Sequence, residues 1–120
     1  MSKIDKKFYT CQMKETFGEY IKRLRTENNL TLTQLAAQLN MDSANLCKIE
    51  NGKRDFDEKR LNKLATLFNL NIDELKTEFF SDFIAKKIYQ IKNYHETLLL
   101  AEEKIKYLQQ RQIKQGTLNL

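Results

Sequence analysis

The segment from residue 31 to 54, TLTQLAAQLNMDSANLCKIENGKR, constrains the fold more than any other part of the chain. Its apolar residues recur at helical spacing on both sides of a polar break, which predicts two short helices joined by a tight turn. Thr31 is a suitable N-cap for the first helix, and Asn40 lies at the turn, where asparagine tolerates a positive φ. Asp42 can cap the second helix. Asn51-Gly52 can end it, because glycine readily adopts the left-handed conformation.

A small residue in the first helix, a turn residue four positions later and two apolar residues in the second helix form a helix-turn-helix pattern. These residues are Ala36, Asn40, Leu46 and Ile49. From residue 17 to 75 the chain resembles the Cro/C1-type family of bacterial and phage regulators, also called XRE-like or lambda-repressor-like. The positions that agree with the family pattern are Leu30, Thr31, Leu35, Ala36, Leu39, Met41, Leu46, Ile49, Glu50, Gly52 and Lys53.

The chain departs from that family pattern at three places. Leu32 stands where glutamine is common, Asn40 stands where the turn usually has glycine, and no proline follows the second helix. The missing glutamine removes one phosphate contact that the family would supply. The other two departures leave the expected fold unchanged.

Composition favours an all-α fold, and the resemblance implies a five-helix lambda-repressor-like domain. The apolar pattern after this domain predicts two further C-terminal helices, which we interpret as a dimerisation hairpin. We assign residues 1–15 to a basic tail, 16–78 to the DNA-binding domain, 79–113 to a helical dimerisation region and 114–120 to a frayed tail. Helices are predicted at 16–27, at 57–69, from 72, from 79 to about 93, and from about 94 to 113. The predicted core comprises Phe17, Ile21, Leu24, Leu35, Leu39, Leu46, Ile49, Leu61, Leu64, Phe68, Ile72 and Leu75.

The second helix of the motif is the expected recognition helix, and double-stranded DNA is the expected partner. The residues expected to contact base edges in the major groove are Ser43, Ala44, Asn45 and Lys48. Asparagine suits adenine, lysine suits guanine, and the alanine methyl can contact thymine. Phosphate contacts are expected at the start of the first helix and after the second, from Thr33, Gln34, Asn51, Lys53 and Arg54. The resemblance also implies a structural ion pair between Arg25 and Glu50.

The C-terminal region carries more apolar residues than the minimal family domain needs. An apolar stripe runs from Phe79 to Ile91. It is followed by a seam of residues with spacings of 4, 3, 4 and 3, which is a short heptad pattern: Tyr94, Leu98, Ala101, Ile105 and Leu108. One interpretation packs both helices onto their own domain. The other pairs them with a second subunit, and its expected dimerisation residues are Phe83, Ile84, Ile88, Ile91, Tyr94, Leu98, Ala101, Ile105 and Leu108.

Composition excludes several other classes of protein. The 120 residues contain no proline, three glycines and one histidine, and no apolar run approaches the length of a membrane span. Cys11 and Cys47 are expected to be free thiols, and no catalytic or metal-ligand spacing is present. We therefore expect neither an enzyme, nor a cofactor, nor a metal site. Without a secretory signal, a cytoplasmic location is expected.

The net charge of +5 suits a polyanionic partner. The sequence therefore predicts a dimeric transcriptional regulator, a repressor or autoregulator, that recognises an inverted-repeat operator. The alternative is an antitoxin-like or adaptor module that binds a protein through the C-terminal helices. For the tail at residues 1–15, two interpretations remain: a disordered or surface-packed segment, or an arm that reaches the DNA minor groove.

Overall fold

The computed structural model describes residues 15–119, and side chains are described for residues 15–112. Within that range the chain is helical and contains no strand. Its elements are α1 (Phe17–Glu27), α2 (Leu32–Gln38), α3 (Ser43–Glu50), a 3-10 helix (Glu58–Arg60), α4 (Leu61–Phe68), α5 (Ile72–Ile88) and α6 (Tyr94–Asn119). The predicted all-α class is confirmed. Nearly all of the predicted N-terminal tail, residues 1–14, lies outside the described residues.

The first two helices begin with reciprocal capping boxes. The hydroxyl of Thr16 accepts a hydrogen bond from the backbone N–H of Glu19 at 3.1 Å, and the Glu19 carboxylate accepts one from the Thr16 N–H at 2.9 Å. Thr31 and Gln34 repeat this arrangement at the start of α2, at 3.1 and 2.8 Å. Each box satisfies two N–H groups that the first helical turn leaves unpaired. Asp42 occupies the N-cap position of α3, but its side chain makes no capping hydrogen bond.

The first four helices end at residues with a positive φ, namely Asn29, Asn40, Gly52 and Asn69. After α2, the N–H of Met41 donates to the carbonyl of Ala36 at 2.9 Å, and after α3 the N–H of Lys53 donates to the carbonyl of Lys48 at 2.8 Å. These six-residue bonds define Schellman motifs, which require a left-handed residue one position earlier. Asparagine thus replaces the usual glycine at three of the four ends.

One core joins the helices of the N-terminal part, and it contains nearly all of the predicted core residues. Ile21, Leu35, Leu46 and Leu64 have essentially no exposed surface, whereas the predicted core residues Phe68 and Ile72 are only partly buried at its margin. Phe56, which lies in the loop before the 3-10 helix and was not predicted in the core, is 5% exposed. The centroid of its ring lies 5.7 Å from the centroid of the Phe17 ring. The loop after α3 is therefore anchored by an aromatic contact.

The C-terminal half differs from the predicted helix boundaries. The residues predicted to form separate helices from 72 and from 79 form the single helix α5, because no glycine or proline interrupts that stretch. It ends at Ile88 rather than near residue 93, and α6 continues to Asn119 rather than to 113. The chain divides into two compact units, residues 1–83 and 84–120. Among the described helices, none has both the length and the apolar composition needed to cross a membrane.

Gly18 allows α1 to approach the end of α3 closely. A methyl group built at Gly18 would overlap the carbonyl oxygen of Ile49 and would lie 3.1 Å from that of Glu50. Both atoms belong to backbone, which cannot move aside as a flexible side chain would. The position therefore requires glycine for space rather than for backbone conformation.

We expect Gly18→Ala to lower the free energy of unfolding by about 1–3 kcal/mol, because the added methyl forces two helices apart. At an open helical site the same change would raise stability by about 1 kcal/mol. Urea unfolding followed by circular dichroism measures the difference. A stabilised variant would contradict the close approach of α1 to α3.

Candidate nucleic-acid interface

The structure places α3 so that one of its faces is in the core and another is outside it. Helices α1 and α2 both pack against α3. Leu46 and Ile49 are buried by this packing. Of the predicted base contacts, Ala44 and Lys48 are exposed, while Ser43 and Asn45 are half-buried. The four side chains are thus accessible on a helix whose opposite side is packed in the core.

Arg25 and Glu50 form a bidentate ion pair between the ends of α1 and α3. The guanidinium Nε and Nη2 donate to the two carboxylate oxygens of Glu50 at 2.7 and 3.0 Å, and Nη1 donates to the carbonyl of Leu30 at 3.0 Å. Only 12% of the Arg25 side chain and 4% of the Glu50 side chain are exposed. The hydrogen bond to Glu50 raises the pKa of Arg25 above its usual value, although burial acts in the opposite direction. Both charges remain paired inside the domain, where they orient α3 rather than contact a ligand.

Thr33 and Gln34, the predicted phosphate contacts at the start of α2, are both exposed. The side-chain oxygen Oε1 of Gln34 accepts the capping hydrogen bond from the backbone N–H of Thr31. The Nε2 group, which is the donor end of the same amide, is the end suited to a phosphate oxygen. The capping box therefore also sets the orientation of a side chain with a predicted binding role.

The remaining predicted phosphate contacts, Asn51, Lys53 and Arg54, follow α3 and are exposed. Asn51 is the C-cap of the helix, and its Nδ2 lies 3.5 Å from the sulfur of Cys47. Lys53 is positioned by the Schellman bond of its backbone to Lys48. These residues lie at the opposite end of α3 from its first turn, whereas Thr33 and Gln34 lie in the first turn of α2.

Two arginines have contacts that the sequence analysis did not predict. Arg54 Nη1 donates to the side-chain oxygen of Asn45 at 2.9 Å, so a predicted phosphate contact is bonded to a predicted base contact. Arg60 donates from Nε to the carbonyl of Leu39 at 2.8 Å and from Nη2 to the carbonyl of Asn40 at 3.0 Å. It thereby satisfies backbone oxygens at the end of α2. Basic residues are clustered after α3 in the sequence, at Lys53, Arg54, Lys59 and Arg60, but this cluster does not reveal which arginine turns inward.

Comparison with known families identifies the fold-defining segment. A model described as a helix-turn-helix domain matches residues 18–78, about half of the chain. The chain belongs to the helix-turn-helix family. The predicted resemblance to Cro/C1-type, XRE-like regulators is confirmed, and members of this family are DNA-binding transcriptional regulators.

Several curated relatives of this helix-turn-helix protein carry regulatory names. It is 35% identical over 95 residues to the HTH-type transcriptional repressor RghR of Bacillus subtilis, a match that covers 79% of this chain and 64% of that one. It is 35% identical over 71 residues to the control protein C.MunI of a Mycoplasma species, covering 58% of this chain and 90% of the relative. It is also 39% identical over 59 residues to the ImmF control region 10 kDa protein of Bacillus phage phi105, covering 49% and 66% respectively. No solved structure matches the chain.

The helix-turn-helix protein leaves most of its predicted dimerisation residues exposed. In α6 the exposed fractions of Leu98 and Ile105 are 40% and 52%. Phe83, Ile84, Ile91, Tyr94 and Leu108 are likewise exposed, while Ile88 and Ala101 are half-buried. Apolar side chains at heptad spacing therefore remain accessible along α6.

We expect Arg25→Met to lower the free energy of unfolding by about 3–5 kcal/mol, because the buried Glu50 carboxylate loses its only described ion pair. Arg23→Met is the matched control on the same helix. Arg23 pairs with Glu15 at 2.7 Å, but its side chain is 31% exposed, so we expect a smaller loss. Denaturant unfolding of both variants makes the comparison. Equal losses in the free energy of unfolding would show that burying the Arg25–Glu50 pair does not increase its contribution to stability.

Proposed function

We propose that this protein is a transcriptional repressor or autoregulator that binds an inverted-repeat DNA operator as a homodimer. The observation that carries the proposal is the placement of α3, with Leu46 and Ile49 in the core and Ser43, Ala44, Asn45 and Lys48 accessible. A short helix presented in this way can enter a major groove, where each base pair displays a distinct set of donors and acceptors.

The flanking polar residues supply the phosphate contacts in this proposal. The Thr33 hydroxyl and the Gln34 amide are donors at the start of α2, and Asn51 and Lys53 are donors after the end of α3. Such contacts set the position of the protein on the duplex without distinguishing bases. They support an arrangement in which the N-terminal part of α3 lies in the groove, while the start of α2 and the segment after α3 contact the DNA backbone.

A dimer is proposed because one short helix offers few base contacts. Two subunits related by a two-fold axis place two recognition helices in successive major grooves, roughly 34 Å apart, and the operator is then an inverted repeat. The seam on α6, formed by Tyr94, Leu98, Ala101, Ile105 and Leu108, has the spacing of a helical pairing surface. Four of its five side chains, all except Ala101, are exposed, which supports the assignment because a large accessible apolar patch usually marks an interface.

Selection of double-stranded DNA from a random library by the full chain tests the function directly. The expected result is enrichment of a sequence with two inverted half-sites. Enrichment of no sequence would contradict the DNA-binding proposal and favour the alternative, an adaptor or antitoxin-like module that acts through its C-terminal helices.

We expect Lys48→Ala to weaken binding by about 1–3 kcal/mol at one base pair of each half-site and to relax the base preference there. The exposed Lys22 on α1 provides a matched control, because Lys22→Ala removes the same charge outside the motif. Affinities are measured for the wild-type operator and its single-base substitutions. A uniform loss at all substituted operators would make Lys48 a phosphate contact instead.

We expect Leu98→Lys with Ile105→Lys to give a folded monomer with much weaker operator binding, because two charges are placed in the seam. Sedimentation and circular dichroism measure assembly and folding. The control is Leu99→Lys with Leu100→Lys, which makes the same chemical change on the same helix at positions outside the seam. Their side chains are 52% and 56% exposed.

The control pair should leave the protein dimeric. If both double variants dissociate equally, the heptad seam is not the interface. If the unmutated protein sediments as a monomer at micromolar concentration, the dimer proposal itself fails.

A further inference from the structure

Arg54 is bonded to the recognition helix rather than extended away from it. The Schellman motif at Gly52 reverses the chain after α3, and Arg54 lies two residues beyond this turn. From there Nη1 donates to Asn45 Oδ1 at 2.9 Å, which joins residues nine positions apart. The bond connects the segment after the helix to a side chain in the first turn of the helix.

This contact changes what Asn45 can offer to a base. Bidentate recognition of adenine uses the amide oxygen as an acceptor for N6 and the amide nitrogen as a donor to N7. Arg54 already donates to the oxygen and holds it on the arginine side. The Nδ2 group then remains as the polar end available to DNA, and it can only donate. Guanine, which displays two acceptors at O6 and N7, suits such a group better than adenine does.

We propose that Arg54 is a positioning residue that sets the specificity of Asn45, turning its amide nitrogen toward base acceptors and favouring guanine over adenine at one position of each half-site. This inference rests on the proposed DNA-binding function. It differs from the sequence-based expectation that Asn45 recognises adenine, and it adds a second role to the phosphate contact expected of Arg54.

The chemistry of arginine permits this role in addition to a phosphate contact. The guanidinium carries five N–H donors in a fixed planar arrangement, so one can hold Asn45 while others face the DNA backbone. Lys53, the preceding residue, supplies a positive charge at the same edge of the motif and is exposed. A comparison between the two residues therefore separates the effect of charge from the effect of positioning.

The experiment begins with the operator selected by the unmutated full chain. Affinities for that operator and for every single-base substitution are measured with Arg54→Ala, Lys53→Ala, Asn45→Ala and the double variant Arg54→Ala with Asn45→Ala. Circular dichroism verifies that each variant is folded.

Lys53→Ala should weaken binding to every operator by a similar factor. Arg54→Ala should do the same and should also reduce the guanine-over-adenine preference at one base pair by about tenfold, because the released amide can then contact adenine through both of its ends. The double variant should show the same preference as Asn45→Ala alone, since Arg54 acts on the base through Asn45.

If Arg54→Ala changes all affinities uniformly, as Lys53→Ala does, the positioning role is overturned while the operator selected by the unmutated chain still supports the proposed function. An additional change of preference in the double variant beyond that of Asn45→Ala would also overturn it, because Arg54 would then contact the base itself. If the unmutated chain selects no operator, both the proposed function and this inference fail.

Discussion

The three hydrogen bonds of the Arg25 guanidinium hold together the part of the structure on which the proposed interface depends. Two join α1 to Glu50 at the end of α3, and the third binds the carbonyl of Leu30 just before α2. One side chain thus relates three helices, and it does so where both charges are removed from water. Removing one partner of such a buried pair is strongly destabilising, so the pair keeps α3, the proposed recognition helix, attached to α1.

Close backbone contacts complete that orientation. Gly18 lets α1 approach the carbonyl of Ile49, and Arg60 binds the carbonyls of Leu39 and Asn40 at the turn between α2 and α3. Phe56 buries the loop that follows α3. Both ends of α3 are therefore attached to the domain by groups that have little freedom to move. Rigid support of this kind lets a short helix present a few side chains in a defined arrangement.

Two amide side chains of the proposed interface, one on α2 and one on α3, are oriented by hydrogen bonds. Gln34 is oriented by its capping box, and Asn45 is oriented by Arg54. In both residues a local or medium-range hydrogen bond uses the carbonyl oxygen of an amide and leaves the donor end for another partner. Donors of this kind match the acceptors of phosphates and of guanine, which fits the proposed contact with DNA.

The sequence by itself determined what depends on neighbours a few residues apart. Thr16, Thr31, Asn40 and Gly52 begin or end helices through bonds between residues at most five positions apart, so their roles were predictable from spacing, and the all-α helix-turn-helix fold followed. The tertiary structure alone decided the contacts between distant segments. The burial of Phe56, the requirement for Gly18, the carbonyls bound by Arg60 and the bond from Arg54 to Asn45 all arise from chain reversals that bring separated residues together. The spacing of residues along the chain does not indicate which distant side chains come into contact, because an exposed arginine and an inward-turned one have the same local sequence pattern.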